Sequence, residues 1–225
     1  MKIFQDKQSE KKYYEQEASE IEFLEWYKAQ DHARYEKPSV TVDTLIFGWK
    51  NDTLNLLFVK RGCHPYLNHY AFPGGFLTPS ESPDQAAVRE ACEETGITLR
   101  LEDMEQFQTV GTPGRDPRAW VITIAYLVYL PTMDQIKVKG GSDAKSALWL
   151  QLKTNGDGVP ILEKNGETIP LSALAFDHPD ILENAVSQIR AGKFPGIYKI
   201  LGKNPAASDV EKLNARLKLP KGPSR

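Results

Sequence analysis

Two cysteines among 225 residues are too few for a disulfide framework. Cys63 and Cys92 show no C-x-x-C spacing, which removes a thiolate zinc site. The expectation for such a pair is two reduced thiols in a cytoplasmic protein. Long apolar runs are also missing: none approaches the about 20 residues that span a bilayer. Residues 1–12 are polar and mixed in charge, without the apolar segment of a signal peptide, so no membrane partner is expected. Neither sign of charge dominates, with 28 Lys+Arg against 30 Asp+Glu and a formal net charge of -2. Internal repeats and low-complexity segments are absent. What remains is an ordinary globular balance, 40% hydrophobic and 26% charged, able to bury a core. That excludes disorder as the main state.

The charge is unevenly placed. Residues 1–36 carry nine acids and six bases, whereas residues 186–225 carry nine bases against Asp209 and Glu211. The basic tail reads as a solvated or intersubunit surface, with nucleic acid as the other candidate. Ile21, Leu24, Trp26 and Tyr27 fall near helical spacing among glutamates, predicting an amphipathic helix over 19–30 that packs on the body or on a partner. Lys37-Pro38 ends that region. Residues 40–49 are β-prone, and Asn51-Asp52 turns them into a second run at 54–60, a hairpin. Residues 120–130 form another β run, apolar enough to be buried on both faces, and 148–150 a short one. Asn155-Gly156 and Asn165-Gly166 predict a loop or small hairpin over 153–170. Helices are expected over 179–190 and 206–217, the latter with Ser208 able to cap its start. The alternation favours α/β or α+β. Three regions follow: an N-terminal helical extension (1–36), a main domain (37–175) and a basic helical C-terminal region (176–225).

The chemistry concentrates in GGFLTPSESPDQAAVREACEETGI, residues 74–97. Ser82 caps a helix, Pro83 takes its first position, and Gln85 completes a capping box. Gly96 stands where a left-handed C-terminal cap is needed. Ala87, Val88, Ala91 and Cys92 make the expected packing side, so Cys92 is expected to be buried. On the other side, Glu93 and Glu94 lie roughly 60° and 40° to either side of Glu90 at about 100° per residue. Three carboxylates in one sector repel one another. A hard divalent cation relieves the repulsion and takes such oxygen ligands. Arg89, and Glu81 ahead of the cap, are suited to fix carboxylate orientation. A cluster of glutamates alone would equally suit a solvated acidic face.

The spacing Gly75, Glu81, Arg89-Glu90, Glu93-Glu94, Gly96-Ile97 matches the box G-x5-E-x7-R-E-U-x-E-E-x-G-U, with Ala91 where a bulkier aliphatic is usual. The sequence thus resembles the Nudix hydrolases over about residues 37–175. The resemblance implies an α/β/α sandwich around a mixed sheet, here with an N-terminal helix and a short helical C-terminal appendage. It implies cleavage of a nucleoside diphosphate linked to another moiety, with Mg2+ or Mn2+ as cofactor. Carried over by position, Glu90, Glu93 and Arg89 are catalytic. The carbonyl of Gly74 joins Glu90, Glu93 and Glu94 as metal ligands, and Glu81 is an orienting residue.

A second segment narrows the branch. Arg115 and Arg118, in GTPGRDPR before an A-Y-L strand, suit pyrophosphate or ribose-phosphate contacts; either arginine paired with Asp116 in a polar turn is the alternative. With FVKRG at 58–62 and AFPGG at 71–75, the segment looks like the branch holding ADP-ribose pyrophosphatases and Nudix-related transcriptional regulators. Arg61 joins Arg115 and Arg118 as a substrate-binding candidate, and Lys60 reads as a strand end. One departure from the family concerns the general base. The loop at 131–146 contains Asp134 and Asp143 but no glutamate, so Asp143 or a box glutamate is left for that role. His64 and His69 read as surface loop residues, and His178, in a Phe176-Asp177-His178 run that resembles a boundary motif of the branch, as a capping or packing residue. The amphipathic N-terminal helix carries Leu24, Trp26 and Tyr27 beyond what a Nudix body needs, which predicts a homodimer. A metal-dependent hydrolase of ADP-ribose or a similar nucleotide-sugar is therefore expected. The alternative is a ligand-sensing regulator that binds DNA through its C-terminal region.

Overall fold

A computed structural model describes residues 4–29, 37–131, 133 and 144–219. Residues 1–37 and 38–225 separate into two compact units. The first holds α1 (Lys7–Gln16) and α2 (Glu20–Ala29). Within it Tyr14 stacks on Trp26 with ring centroids 5.0 Å apart, and the Trp26 indole N–H donates to Glu10 at 3.1 Å. The sequence reading anticipated only α2. Helix α1, KQSEKKYYEQ, has no aliphatic residue, so it lacks the apolar stripe that marks a helix. Its one legible signal is the capping box of Asp6 and Ser9.

In the second unit the strands are β1 (Ser39–Lys50), β2 (Thr53–Arg61), β3 (Tyr70–Ala71), β4 (Gly74–Phe76), β5 (Glu105–Val110), β6 (Val121–Leu130), β7 (Ala144–Thr154), β8 (Pro160–Lys164) and β9 (Glu167–Ile169). They form one mixed sheet in the order β5-β6-β1-β2-β7-β8-β9, with β3 paired to β2 and β4 to β1. Only β1 and β6 run parallel among the described pairs. The β1–β2 hairpin turns at Asn51 and Asp52, both at positive φ, the conformation a tight hairpin demands and these residues tolerate. The 153–170 segment supplies the β8–β9 hairpin, turning at Asn165-Gly166.

Strand alternation assigns two apolar layers. On one face Val42, Ile46, Leu57, Tyr126 and Val128 meet α3 (Pro83–Thr95) through Ala86, Ala87 and Ala91. On the other, Leu45, Phe47, Phe58, Leu127 and Leu150 meet α4 (His178–Arg190) and α5 (Ala207–Leu217). The chain therefore forms an α/β/α sandwich, and the C-terminal helices are its third layer. Pro179 fits the first turn of α4. Helix α5 starts at Ala207 with Ala206 in the N-cap position and no side-chain cap, so Ser208 lies inside it, two positions too late for the capping role expected of it.

Leu213 and Leu217 are fully buried, so α5 contributes to the same core as the sheet. Leu213→Ala should destabilise this unit by about 2–5 kcal/mol, read as a lower denaturant midpoint at unchanged slope. An unaltered midpoint would show that α5 is detachable.

Candidate functional site

At one end of the sheet, a cleft of about 310 Å³ lies between β1, the β3–β4 segment, α3, the loop after β5 and the start of α4. Helix α3 delivers the box carboxylates. The Ser82–Gln85 capping box fixes its start and Gly96, at φ 74°, its end. Ala86, Ala87 and Ala91 bury completely, bringing the helix axis close to the sheet. Glu94 follows Ala91 at i+3 and Ala87 at i+7, so it turns inward as well and is only 8% exposed. Its carboxylate accepts the Gly74 N–H at 3.0 Å.

The expected sector of three carboxylates thus divides by depth. Glu94 is buried, Glu90 half-buried, and Glu93 lies exposed at the rim. Burial raises Glu94 to about 8, with Glu90 and Asp43 adding repulsion. Burial also raises Glu90, against the pull of Arg89. Glycine is required beside them. A Cβ on Gly75 would collide with the Glu90 carboxylate, and one on Gly74 with the Val42 carbonyl.

Arg89 ties the sector together. Its guanidinium donates to both Glu81 oxygens at 2.9 and 2.7 Å, to Glu90 at 2.8 Å, to Glu93 at 3.3 Å and to the Phe76 carbonyl at 3.2 Å. This is the planar fork used fully, which a lysine does not reproduce. Glu81 also accepts the Thr78 N–H, and with Arg89 as the main cause its carboxyl falls to about 2.

The arginines fare differently. Arg115 lines the cleft, yet its side chain is 4% exposed and bidentate on Asp177 at 2.7 and 2.8 Å. Arg118, 41% exposed, pairs with Asp116 at 2.7 Å and sits over the rings of Phe76 and Phe176, 5.1 and 5.5 Å from their centroids. Arg61 lies 4.9 Å from the Phe176 centroid and donates to the Pro65 carbonyl.

Asp43 was not singled out in the sequence, and Phe176 and Asp177 were noted there only as part of the run with His178, though all three touch this network. Asp43 is buried, which would raise its carboxyl. His178, Thr123 and Arg115 outweigh burial and hold it below the ordinary range. Its signal was a lone carboxylate inside an apolar β run. Cys92 is exposed rather than buried, because it lies beyond the helix edge that Thr95 closes, and Cys63 lines the cleft. His64 and His69 do not line it, and Lys60 lies over the Tyr70 ring. Asp134 and Asp143 lie outside the described residues.

The family model of the NUDIX domain matches residues 37–164, more than half of the chain. The chain belongs to the Nudix family. It is 32% identical over 152 residues to the ADP-ribose pyrophosphatase of Methanocaldococcus jannaschii, covering 67% of this chain and 74% of that one. It is 29% identical over 177 residues to the ADPR responsive transcriptional repressor NtrR of Acinetobacter baylyi, covering 76% of this chain. The match spans only 61% of the repressor's length. Among solved structures, a MutT/nudix family protein from Enterococcus faecalis superposes with a TM-score of 0.85 at 34% identity, over 97% of this Nudix chain and 88% of that protein. The similarity to that structure therefore includes the C-terminal helices.

Glu94 has a consequence for the Nudix fold's own stability. The unfolded chain releases this proton near 4.5 and the folded chain near 8, so between those values the folded state binds more protons. The contribution of this carboxyl to stability in chelator is therefore fully present below about pH 4.5 and is lost as pH rises through about 8. The difference between wild type and Glu94→Gln, followed by thermal melts from about pH 5 to 8.5, should carry that decline. A difference constant with pH would mean the carboxyl is not perturbed.

Proposed function

We propose that this chain hydrolyses the pyrophosphate of a nucleoside diphosphate-linked substrate, ADP-ribose or a similar nucleotide-sugar, with Mg2+ or Mn2+. The fold and box are those of a Nudix pyrophosphohydrolase. The observation that carries the reading is the graded carboxylate sector on α3, opening into a cleft with arginines on its walls. The names of the pyrophosphatase and the ADPR-responsive relative support the substrate class.

The donor set fits a hard cation. Glu90 and Glu94 are crowded and costly to ionise without a counter-charge, and oxygen donors suit such an ion. Among the described residues no three His, Cys, Asp or Glu side chains already form a cage. In this reading Glu90, Glu94 and the Gly74 carbonyl hold the ion, which when bound polarises the phosphate and acidifies a bound water. Glu93, at the rim, would bind a further ion or its water. Arg89 and Glu81 keep Glu90 and Glu93 aligned, and Arg118 and Arg61 meet the phosphates at the mouth. Arg115, held by Asp177, shapes the inner wall. Water adds to one phosphorus and the bridging P–O bond breaks, so ADP-ribose would yield AMP and ribose 5-phosphate.

A panel of ADP-ribose and other nucleotide-sugars with Mg2+ or Mn2+ tests this. Glu94→Gln should lower turnover by orders of magnitude while keeping the fold, and its melting temperature should respond less to Mg2+. Wild-type turnover in that variant would defeat the assignment. Exposed Ile21, Leu24 and Tyr27 on α2 support self-association, which light scattering measures.

The repressor relative motivates the regulator reading. Both C-terminal helices commit an apolar face to the sheet, and among the described residues no further helix follows α5. A recognition helix needs a supporting scaffold, so the basic tail is read as a solvated surface. A tight, ligand-released complex in a gel shift with the protein's own upstream DNA would reverse this preference.

A further inference from the structure

His178 lies beyond both the family match at 37–164 and the chemistry assigned above, yet it is 2% exposed at the back of the cleft. Its ring stacks on Phe72, with centroids 4.7 Å apart and planes 13° from parallel. Its Nδ1 accepts the Phe72 N–H at 3.0 Å, and its Nε2 stands 3.3 Å from Asp43 Oδ1. An amide N–H can only donate, so Nδ1 presents a lone pair and the ring proton sits on Nε2, facing the carboxylate.

The segment Phe72-Pro73-Gly74 is the point of leverage. Proline has no N–H, so the tripeptide has two amide donors. One goes to His178 and the other to Glu94. The Pro73 carbonyl accepts from Thr44 N at 2.9 Å, and Gly74 lies opposite Asp43 in the β1–β4 pairing. The imidazole therefore bridges the β1 carboxylate and the segment that presents the Gly74 carbonyl and anchors Glu94. It is held there from outside the box, because Ala175 N donates to Tyr70 O at 2.8 Å just ahead of α4.

We propose that His178 is a positioning residue for the divalent-cation site, acting through Phe72 to set the depth of Gly74 and Glu94. The proposal rests on the reading of Gly74, Glu90 and Glu94 as the cation site. The Nδ1 acceptor is the working atom, and the contact with Asp43 orients the ring.

Two substitutions separate the atoms. The Asn amide oxygen falls near the place of Nδ1 and keeps an acceptor for the Phe72 N–H. The Gln amide reaches toward the place of Nε2 and withdraws it. Mn2+ affinity, measured by the electron paramagnetic resonance of the free ion, should stay near wild type in His178→Asn. It should weaken by about tenfold or more in His178→Gln, the scale typical of lost outer-shell support. In the hydrolysis assay His178→Gln should lower kcat at saturating substrate with KM little changed. Melting temperatures report folding for both variants. Equal affinities in the two variants, or the reverse order, would overturn the proposal, as would a His178→Asn protein that fails to fold. Glu94→Gln is the control for the underlying reading. If it binds Mn2+ like wild type, the cation site itself is misplaced and the proposal falls with it. If it loses Mn2+ while His178→Gln does not, only the role of His178 fails.

Discussion

Glu94 gives up most of its water where α3 docks beside β4, and the stability of an ionised carboxyl there depends on what surrounds it. The Gly74 N–H offsets part of the cost, but Glu90 and Asp43 add repulsion, and the balance lies on the side of the neutral acid. The position is not an accident of a flexible side chain. Ala87, Ala91 and Glu94 follow the i, i+4, i+7 spacing of a helix face, and the two alanines draw α3 so close that the third position has nowhere else to point. A core position has been given a carboxylate. That is costly for folding and is what a cation site requires.

One turn away, Arg89 produces the opposite result. Glu81 lies at the fork of the guanidinium and is held to about 2, whereas Glu94 lies beyond its reach and is raised. A single helix and its approach loop thus contain carboxyls driven apart by environment alone, the pattern by which sites separate roles among identical groups. Glu90 sits between the two regimes, with burial raising it and the arginine opposing.

Much of this was legible in the sequence where local chemistry decides the outcome. The β1–β2 turn, both ends of α3 and the capping box follow from Asn51-Asp52, Ser82, Gln85 and Gly96 acting over a few residues. The depth of Glu94 was less so, because a 40° step from Glu90 was read as the same face without weighing Ala86 against Cys92. Arg115 shows a different limit. The sequence offered Asp116 one residue away, but the guanidinium turns to Asp177, 62 positions on, a pairing only the tertiary fold brings together. Arg118 takes Asp116 instead. Helix α1 escaped notice because it has almost no apolar face.

The position of Asp177 also bears on where the functional unit ends. A boundary at residue 164 or 175 follows the family match or the change in charge, but it cuts through the cleft. Without Asp177, Arg115 would be a buried guanidinium short of its bidentate partner, a break that costs about 3–5 kcal/mol in comparable buried pairs. Without α4 and α5, Leu45, Phe47, Phe58 and Leu127 would face water on the side of the sheet opposite α3. Packing of the third layer and alignment of the cleft wall therefore depend on the same segment: Phe176 and His178 line the cleft, and Asp177 between them holds Arg115. Arg190, Lys212 and Arg216, among the described basic residues of this region, lie on α4 and α5, whose apolar residues belong to that same core.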